Sequence, residues 1–191
     1  MENNGFYALV FRQKYIRRWG LMRNAREETL SEHACECAVL AHALALIGNR
    51  CFGKKYDADR AATLALFHDV PEVYTGDLPT PIKYFDERSK DAYDAVESQA
   101  IEALLSKLPA ELRPDYEGIF AEDETLTPLV KAADKLCAYL KCLEETRSGN
   151  RDFAAAEKKT YEKLVSLHCE ELDYFLEHIL PSFDLTLDEI K

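Results

Sequence analysis

Apolar residues return every three or four positions through most of this chain, and the every-second-residue alternation of strands is scarce. The pattern predicts an all-α fold, a single-domain helical bundle of seven or eight helices over residues 1–191. A first helix covers about 6–17, with Phe6, Leu9, Val10 and Tyr15 as its apolar contacts, and breaks at Arg17-Arg18-Trp19-Gly20. Thr29 with Glu32 fits a capping box opening a helix from about 30 to 48, whose stripe is Cys37, Leu40, Ala41 and Leu44. Residues 48–56 read as a loop, and Asp57 as the N-cap of a helix ending near 69, before Pro71. Turn-formers and prolines in 75–81 (TGDLPTP) suggest a rigid loop. Helices follow at about 86–108, 110–120, 127–147 and 151–179, the third with Thr127 as N-cap and Pro128 at its first position.

Some polar residues fall on the apolar stripes. Ala61, Leu64, Ala65 and His68 share one helix face, so His68 and the adjoining Asp69 arrive together at a buried helix end. That pair is costly to bury without a compensating charge, and a divalent metal is the simplest one. His33 precedes Cys37, Leu40, Ala41 and Leu44 at helical spacing, and Asp134 follows Val130 by one turn while Lys131 and Lys135 face out. Each alone has a structural explanation. Together they form H…HD…D, separated by 35 and 65 residues, a nitrogen and oxygen set suited to a hard or borderline divalent ion with positions open for substrate. His42 lies off the stripe.

Composition narrows the chemistry. Hydrophobic residues at 47% and charged residues at 31% describe an ordinary globular chain, and a net charge of −11 argues against a nucleic-acid polymer as partner. No secretory signal opens the sequence, and no run of about 18 apolar residues offers a membrane span. The six Cys follow no zinc-finger spacing and read as reduced thiols in a cytoplasmic protein.

The segments RRWGLMRN (17–24), SEH (31–33), FHDVPEVYTGDLPTPIKYF (67–85), KAADKLCAYLKCLEE (131–145), DYFLEHILPSF (173–183) and LTLDEI (185–190) extend the motif over nearly the whole chain. With it they resemble the bacterial HD-domain 5′-deoxynucleotidases of the YfbR type, within the HD superfamily of metal-dependent phosphohydrolases. The resemblance implies hydrolysis of deoxyribonucleoside 5′-monophosphates to deoxynucleosides and phosphate, by a homodimer with little base selectivity and a bias against ribonucleotides. It implies one divalent ion on His33, His68, Asp69 and Asp134, with cobalt supporting activity and manganese or copper able to substitute. His33, Asp69 and Asp134 would also face the substrate. Arg18 would orient the phosphate, Trp19 would lie against the sugar, and Glu72 would assist proton transfer. Asp77, Leu78, Pro79 and Thr80 would line the nucleoside pocket. The Asp69 to Asp134 spacing is slightly shorter than the resemblance implies, which a short deletion around 113–126 would explain.

The chemistry fits those residues. A phosphomonoester dianion needs charge neutralisation and a nucleophile available at neutral pH, which a metal supplies. Arg18 adds a planar fork for two phosphate oxygens. The alternatives are a dNTP triphosphohydrolase, a phosphodiesterase, or a non-catalytic metal- or nucleotide-binding module. The first two call for more cations or more His ligands, and His42, His168 and His178 do not adjoin the motif.

Overall fold

The computed structural model describes residues 4–79 and 85–190. Among these, helices form every extended element: α1 Phe6–Val10, α2 Leu30–Cys51, α3 Ala58–Phe67, α4 Glu72–Thr75, α5 Glu87–Leu105, α6 Arg113–Phe120, α7 Thr127–Arg147, α8 Ala154–Val165 and α9 Glu170–His178. Short 3-10 turns lie at Phe11–Tyr15, Arg151–Phe153 and Leu180–Asp184. The all-α bundle expected from the periodicity is the fold observed.

Helix α2 is the centre of the bundle. Its capping box forms as expected: the Glu32 amide donates to Thr29 Oγ1 at 3.3 Å, and the Thr29 amide donates to Glu32 Oε2 at 2.7 Å. Helices α3, α7 and α9 pack on it. Cys37, Leu40, Ala41 and Leu44 of α2 meet Ala61, Leu64 and Ala65 of α3 and Val130, Ala133, Leu136 and Cys137 of α7 in the main core. By length and composition alone α2 is long and apolar enough to cross a bilayer, although polar residues interrupt its apolar run. Its packed partners and its buried His33 mark it as a core helix.

A second apolar cluster joins Phe6, Val70, Leu104, Leu105 and Leu108, with Phe67, Tyr116 and Phe120 packed against it. Helix α3 therefore buries Leu64 and Ala65 in one core, while Phe67 and the following Val70 meet the other. His68 and Asp69 lie in the seam between the two.

Several boundaries differ from the sequence reading. The first helix tightens into a 3-10 turn after Val10. Helix α2 runs through Gly48 to Cys51, because that glycine is a contact rather than a break: a Cβ there would lie 2.5 Å from Tyr56 Cε2. Thr127 is inside α7 and caps nothing; Asp123 Oδ1 instead accepts from the Thr125 and Leu126 amides, while Thr127 Oγ1 accepts from the Asp123 amide. The expected single helix 151–179 is three pieces, broken where His168 takes a left-handed φ of 49°. A straight helix of that length would run about 43 Å, past the bundle, whereas the break returns α9 to α2 with Leu172 and Phe175 buried. Pro71 is followed by the short helix α4, which Gly76 ends at φ 72°.

The segment before α2 has no regular structure and is clamped by one side chain. Glu145 of α7, 1% exposed, accepts from the Ala25 amide at 2.8 Å, the Arg26 amide at 3.1 Å, Asn150 Nδ2 at 2.7 Å and Lys141 Nζ. Lys141 Nζ also donates to the Arg26 carbonyl. Burial opposes the charge on Glu145, but the Lys141 ammonium and these amides outweigh it and hold the carboxyl at about 2. A depressed folded-state pKa means that this stabilisation is complete above the ordinary value of 4.5 and is lost as pH falls toward 2. Glu145→Ala, which leaves Lys141 buried and unpaired, is expected to cost about 3–5 kcal/mol in urea unfolding at pH 7. The deficit should shrink below pH 4, and a pH-independent deficit would contradict the clamp.

Candidate metal centre and active site

Backbone pairing carries the Arg17-Arg18-Trp19 break to the bundle centre. The Arg18 amide donates to the Glu28 carbonyl at 2.9 Å, the Leu30 amide donates to the Ile16 carbonyl at 2.9 Å, and Arg17 pairs with Thr29. Ile16–Arg18 is thus strapped along the residues that open α2, within reach of His33 in its first turn. The two arginines then part. Arg17 stays in solvent on Glu27, whereas Arg18 turns inward with its side chain 11% exposed. A solvated basic turn describes the first and not the second.

Arg18 is ringed by carboxylates. Its Nη1 lies 3.3 Å from Asp69 Oδ2 and 3.8 Å from Asp77 Oδ1, and its Nε lies 3.2 Å from Glu28 Oε1. Burial opposes its charge, but Asp69, then Asp134, Glu28 and Asp77, hold the proton more firmly than usual.

Four donors meet beside it. His33 Nε2 is 3.5 Å from Asp69 Oδ2 and 3.3 Å from Asp134 Oδ1, and His68 Nε2 is 3.1 Å from Asp69 Oδ2. The imidazole centroids are 5.3 Å apart. Asp134 reaches His33 with the 113–126 segment as short as it is here. Lys135 does not simply face out: its Nζ donates to Asp134 Oδ2 at 2.7 Å and leaves Oδ1 toward the histidines.

The arrangement fits a divalent ion. His68 Nδ1 lies 2.6 Å from the Ala65 carbonyl, which can only accept, so Nδ1 carries the proton and Nε2 presents a lone pair to Asp69. Two lone pairs at that distance repel unless a cation lies between them. His33 Nδ1, His33 Nε2 and His68 Nε2 are buried without a hydrogen-bond partner. Ligands about 2.1 Å from one ion stand roughly 3.0–3.4 Å from each other, close to the separations here. Two neutral imidazoles and two carboxylates would exactly match its charge in number. Without an ion, protons take its part. Burial and Arg18 oppose charge on His33, yet Asp134 and Asp69 outweigh them and raise it well above the ordinary value, and Asp69 likewise raises His68 against burial. Burial opposes ionisation of Asp69 and Asp134, but the histidines hold both well below the carboxylate range, Lys135 assisting at Asp134.

Glu28 was missed in the sequence. Its Oε2 accepts from Trp19 Nε1 at 3.0 Å, and its Oε1 lies 3.6 Å from His33 Nδ1 as well as against Arg18 Nε. One carboxylate so holds a guanidinium and an indole beside an imidazole. The only signal was its place just before the capping box, where a solvated acid is the ordinary reading. Trp19 also holds φ 58°, a left-handed conformation costly for a bulky residue, with its carbonyl accepting from the Met22 amide and Asn24 Nδ2 and its ring packed on Phe153.

The remaining candidates lie along the chain from the cluster. Glu72 opens α4, 3% exposed, and accepts from the Tyr93 hydroxyl at 3.4 Å. Asp77 joins through Arg18, and Leu78 and Pro79 follow it half-buried. Thr80 lies outside the described residues. A cleft of about 280 Å³ reaches His68 between Leu64, Ile101, Phe120 and Val130. A larger groove of about 540 Å³, bordered by Glu28, Val39, Leu143 and Phe183, includes none of the four donors, so its size says nothing about the chemistry.

The helical bundle is shared with solved HD-domain proteins. An HD-domain phosphohydrolase from Listeria innocua superposes with a TM-score of 0.83 at 22% identity, covering 96% of this chain and 90% of its own. The cyanophage S-2L HD phosphohydrolase DatZ, solved with dA and one catalytic Zn2+ ion, superposes at 0.62 with 19% identity over 92% and 96%. The fold is that of the HD-domain phosphohydrolases. The family model described as 5′-deoxynucleotidase YfbR-like matches residues 5–183. 5′-Deoxynucleotidase YfbR of Escherichia coli is 47% identical over 195 residues, covering 100% of this chain and 98% of its own, and the Vibrio cholerae 5′-deoxynucleotidase is 47% identical with complete coverage of both. This chain belongs to the YfbR-like 5′-deoxynucleotidase family.

If Glu28 orients His33 Nδ1, Glu28→Gln is expected to weaken Co2+ or Mn2+ binding about 10–100-fold by calorimetry and to shift Trp19 emission. Unchanged metal affinity would leave Glu28 a packing residue.

Proposed function

We propose that this protein hydrolyses deoxyribonucleoside 5′-monophosphates to deoxynucleosides and phosphate, using one divalent ion held by His33, His68, Asp69 and Asp134. The observation that carries the reading is the convergence of those donors beside buried Arg18 in a chain related over its full length to 5′-deoxynucleotidases. An ion bound there would polarise a phosphoryl oxygen and make water a competent nucleophile at neutral pH. Cobalt is the favoured ion in vitro, with manganese or copper as substitutes.

The protein's own groups do the rest. Arg18, already charged and aimed into the cluster, is in place to take phosphate oxygens, exchanging its contacts with Asp69 and Asp77 for the dianion. Glu72, buried one turn after Asp69, is the group for moving a proton to the leaving 5′-oxygen, with the Tyr93 hydroxyl orienting its carboxylate. Asp77 accepts from the 3′-hydroxyl, Leu78 and Pro79 line the nucleoside, and Trp19 occupies the space a 2′-hydroxyl would need. The left-handed backbone at Trp19 and its bond to Glu28 support a fixed indole rather than a mobile one. No base-reading group is assigned, so base selectivity is low.

The protein acts as a homodimer in the cytoplasm, where deoxynucleotides are found. Exposed Val39 and Leu46 on α2 and Leu185, Leu187 and Ile190 in the tail support a partner surface. Light scattering should give twice the mass of one chain.

A panel of dAMP, AMP, dATP and a cyclic nucleotide with Co2+, Mn2+ or Cu2+ tests the activity. Phosphate release from dAMP well above the others is expected; release of inorganic triphosphate and deoxyadenosine from dATP would favour a triphosphohydrolase, and no release with any ion a binding module. Arg18→Ala should lower turnover about 10²–10³-fold. Trp19→Ala should raise AMP relative to dAMP turnover, and an unchanged ratio would remove Trp19 from sugar selection.

A further inference from the structure

Cys37 follows His33 by one turn of α2 and is completely buried. Its Sγ and one nitrogen from each of His33 and His68 all lie within 4.8 Å of one another. We propose that His33, Cys37 and His68 form a second, softer donor set that captures thiophilic cations such as Cd2+ in competition with the four-donor centre. This rests on the metal-centre reading only for the two shared histidines.

Three observations carry it. Three histidine nitrogens are buried without a hydrogen-bond partner, and one from each ring lies within 4.8 Å of Cys37 Sγ, so they are available to an ion drawn by sulfur. Cys137 of α7 lies in the same buried layer, in contact with both Cys37 and His33, so a fourth donor is at hand. Hard cations prefer the carboxylate side, whereas a thiolate favours Cd2+, Cu+ or Zn2+ over Mn2+. An ion bound by sulfur would displace the Cys37 proton to solvent, with no change of oxidation state. Two thiolates and two imidazoles would close its coordination shell, the pattern of structural zinc rather than of an open catalytic site. Because His33 and His68 belong to both sets, occupancy is exclusive, and thiophilic ions would act as inhibitors.

The test uses the full chain stripped of metal, with Cys35, Cys51 and Cys169 replaced by Ser so that accessible thiols are silent. Titration with Cd2+ is expected to give an ultraviolet thiolate-to-cadmium absorption band saturating at one equivalent, and adding Cys37→Ser should abolish it. Mn2+ binding, followed by electron paramagnetic resonance, should be displaced by Cd2+ one for one, and the Cys37→Ser change should raise the Cd2+ needed at least about tenfold. Cys37→Ala serves if the Ser variant does not fold, as judged by circular dichroism. Mn2+ binding with no cadmium band, or a band that survives loss of Cys37, overturns the proposal. A cadmium band without Mn2+ binding in any variant would instead sink the four-donor reading while supporting the soft set.

Discussion

Negative charge gathered in a buried seam is the constraint on which the site depends. Glu28, Asp69 with Asp77, and Asp134 come from three separate stretches and converge around Arg18, His33 and His68. Arg18 alone cannot neutralise them, so the histidines either hold protons or share a cation with the carboxylates. A divalent ion there would, with Arg18, offset three of the four carboxylate charges and leave two cationic centres side by side for a phosphate to meet. A net charge of −11 is therefore compatible with an anionic substrate, because the relevant field is local.

That convergence is held by scaffolding remote from the chemistry. Glu145 clamps Ala25 and Arg26, the strap of Ile16–Arg18 along Glu28–Leu30 follows, and the capping box then starts α2 at the residue that puts His33 inward. On the other side, α3 is gripped by two apolar clusters at once, so the turn at His68 and Asp69 has little freedom to shift. Irregular backbone between well-packed helices carries Arg18, His68 and Asp69, while His33 and Asp134 stand on the helices themselves.

Much of the site was legible because His33 and Asp134 sit on helices, and His68 and Asp69 directly follow one, whose stripes are themselves legible. His33 and His68 interrupt apolar periodicity, and Asp134 adjoins it. Glu28 was not, since it lies in a segment without periodicity and its importance comes from partners 9, 10 and 5 residues away that no local pattern joins. Lys135 was assigned to solvent by its position on α7, but its long stem folds back to Asp134. The Cys37 thiol was read as a small hydrophobe, and only the approach of α3 to α2 brings it near His68.

By itself the sequence determined the helical class, the capping box at Thr29, the inward face of α2 and the membership of His33, His68, Asp69 and Asp134 in one motif. These are matters of periodicity and local hydrogen bonding, which short stretches encode. Only the tertiary structure decided that Gly48 lies within a helix against Tyr56, that the chain reverses at His168, and that Arg18 rather than Arg17 turns inward. Each of those depends on which distant surface a segment meets, and contact between distant surfaces leaves no period in the sequence.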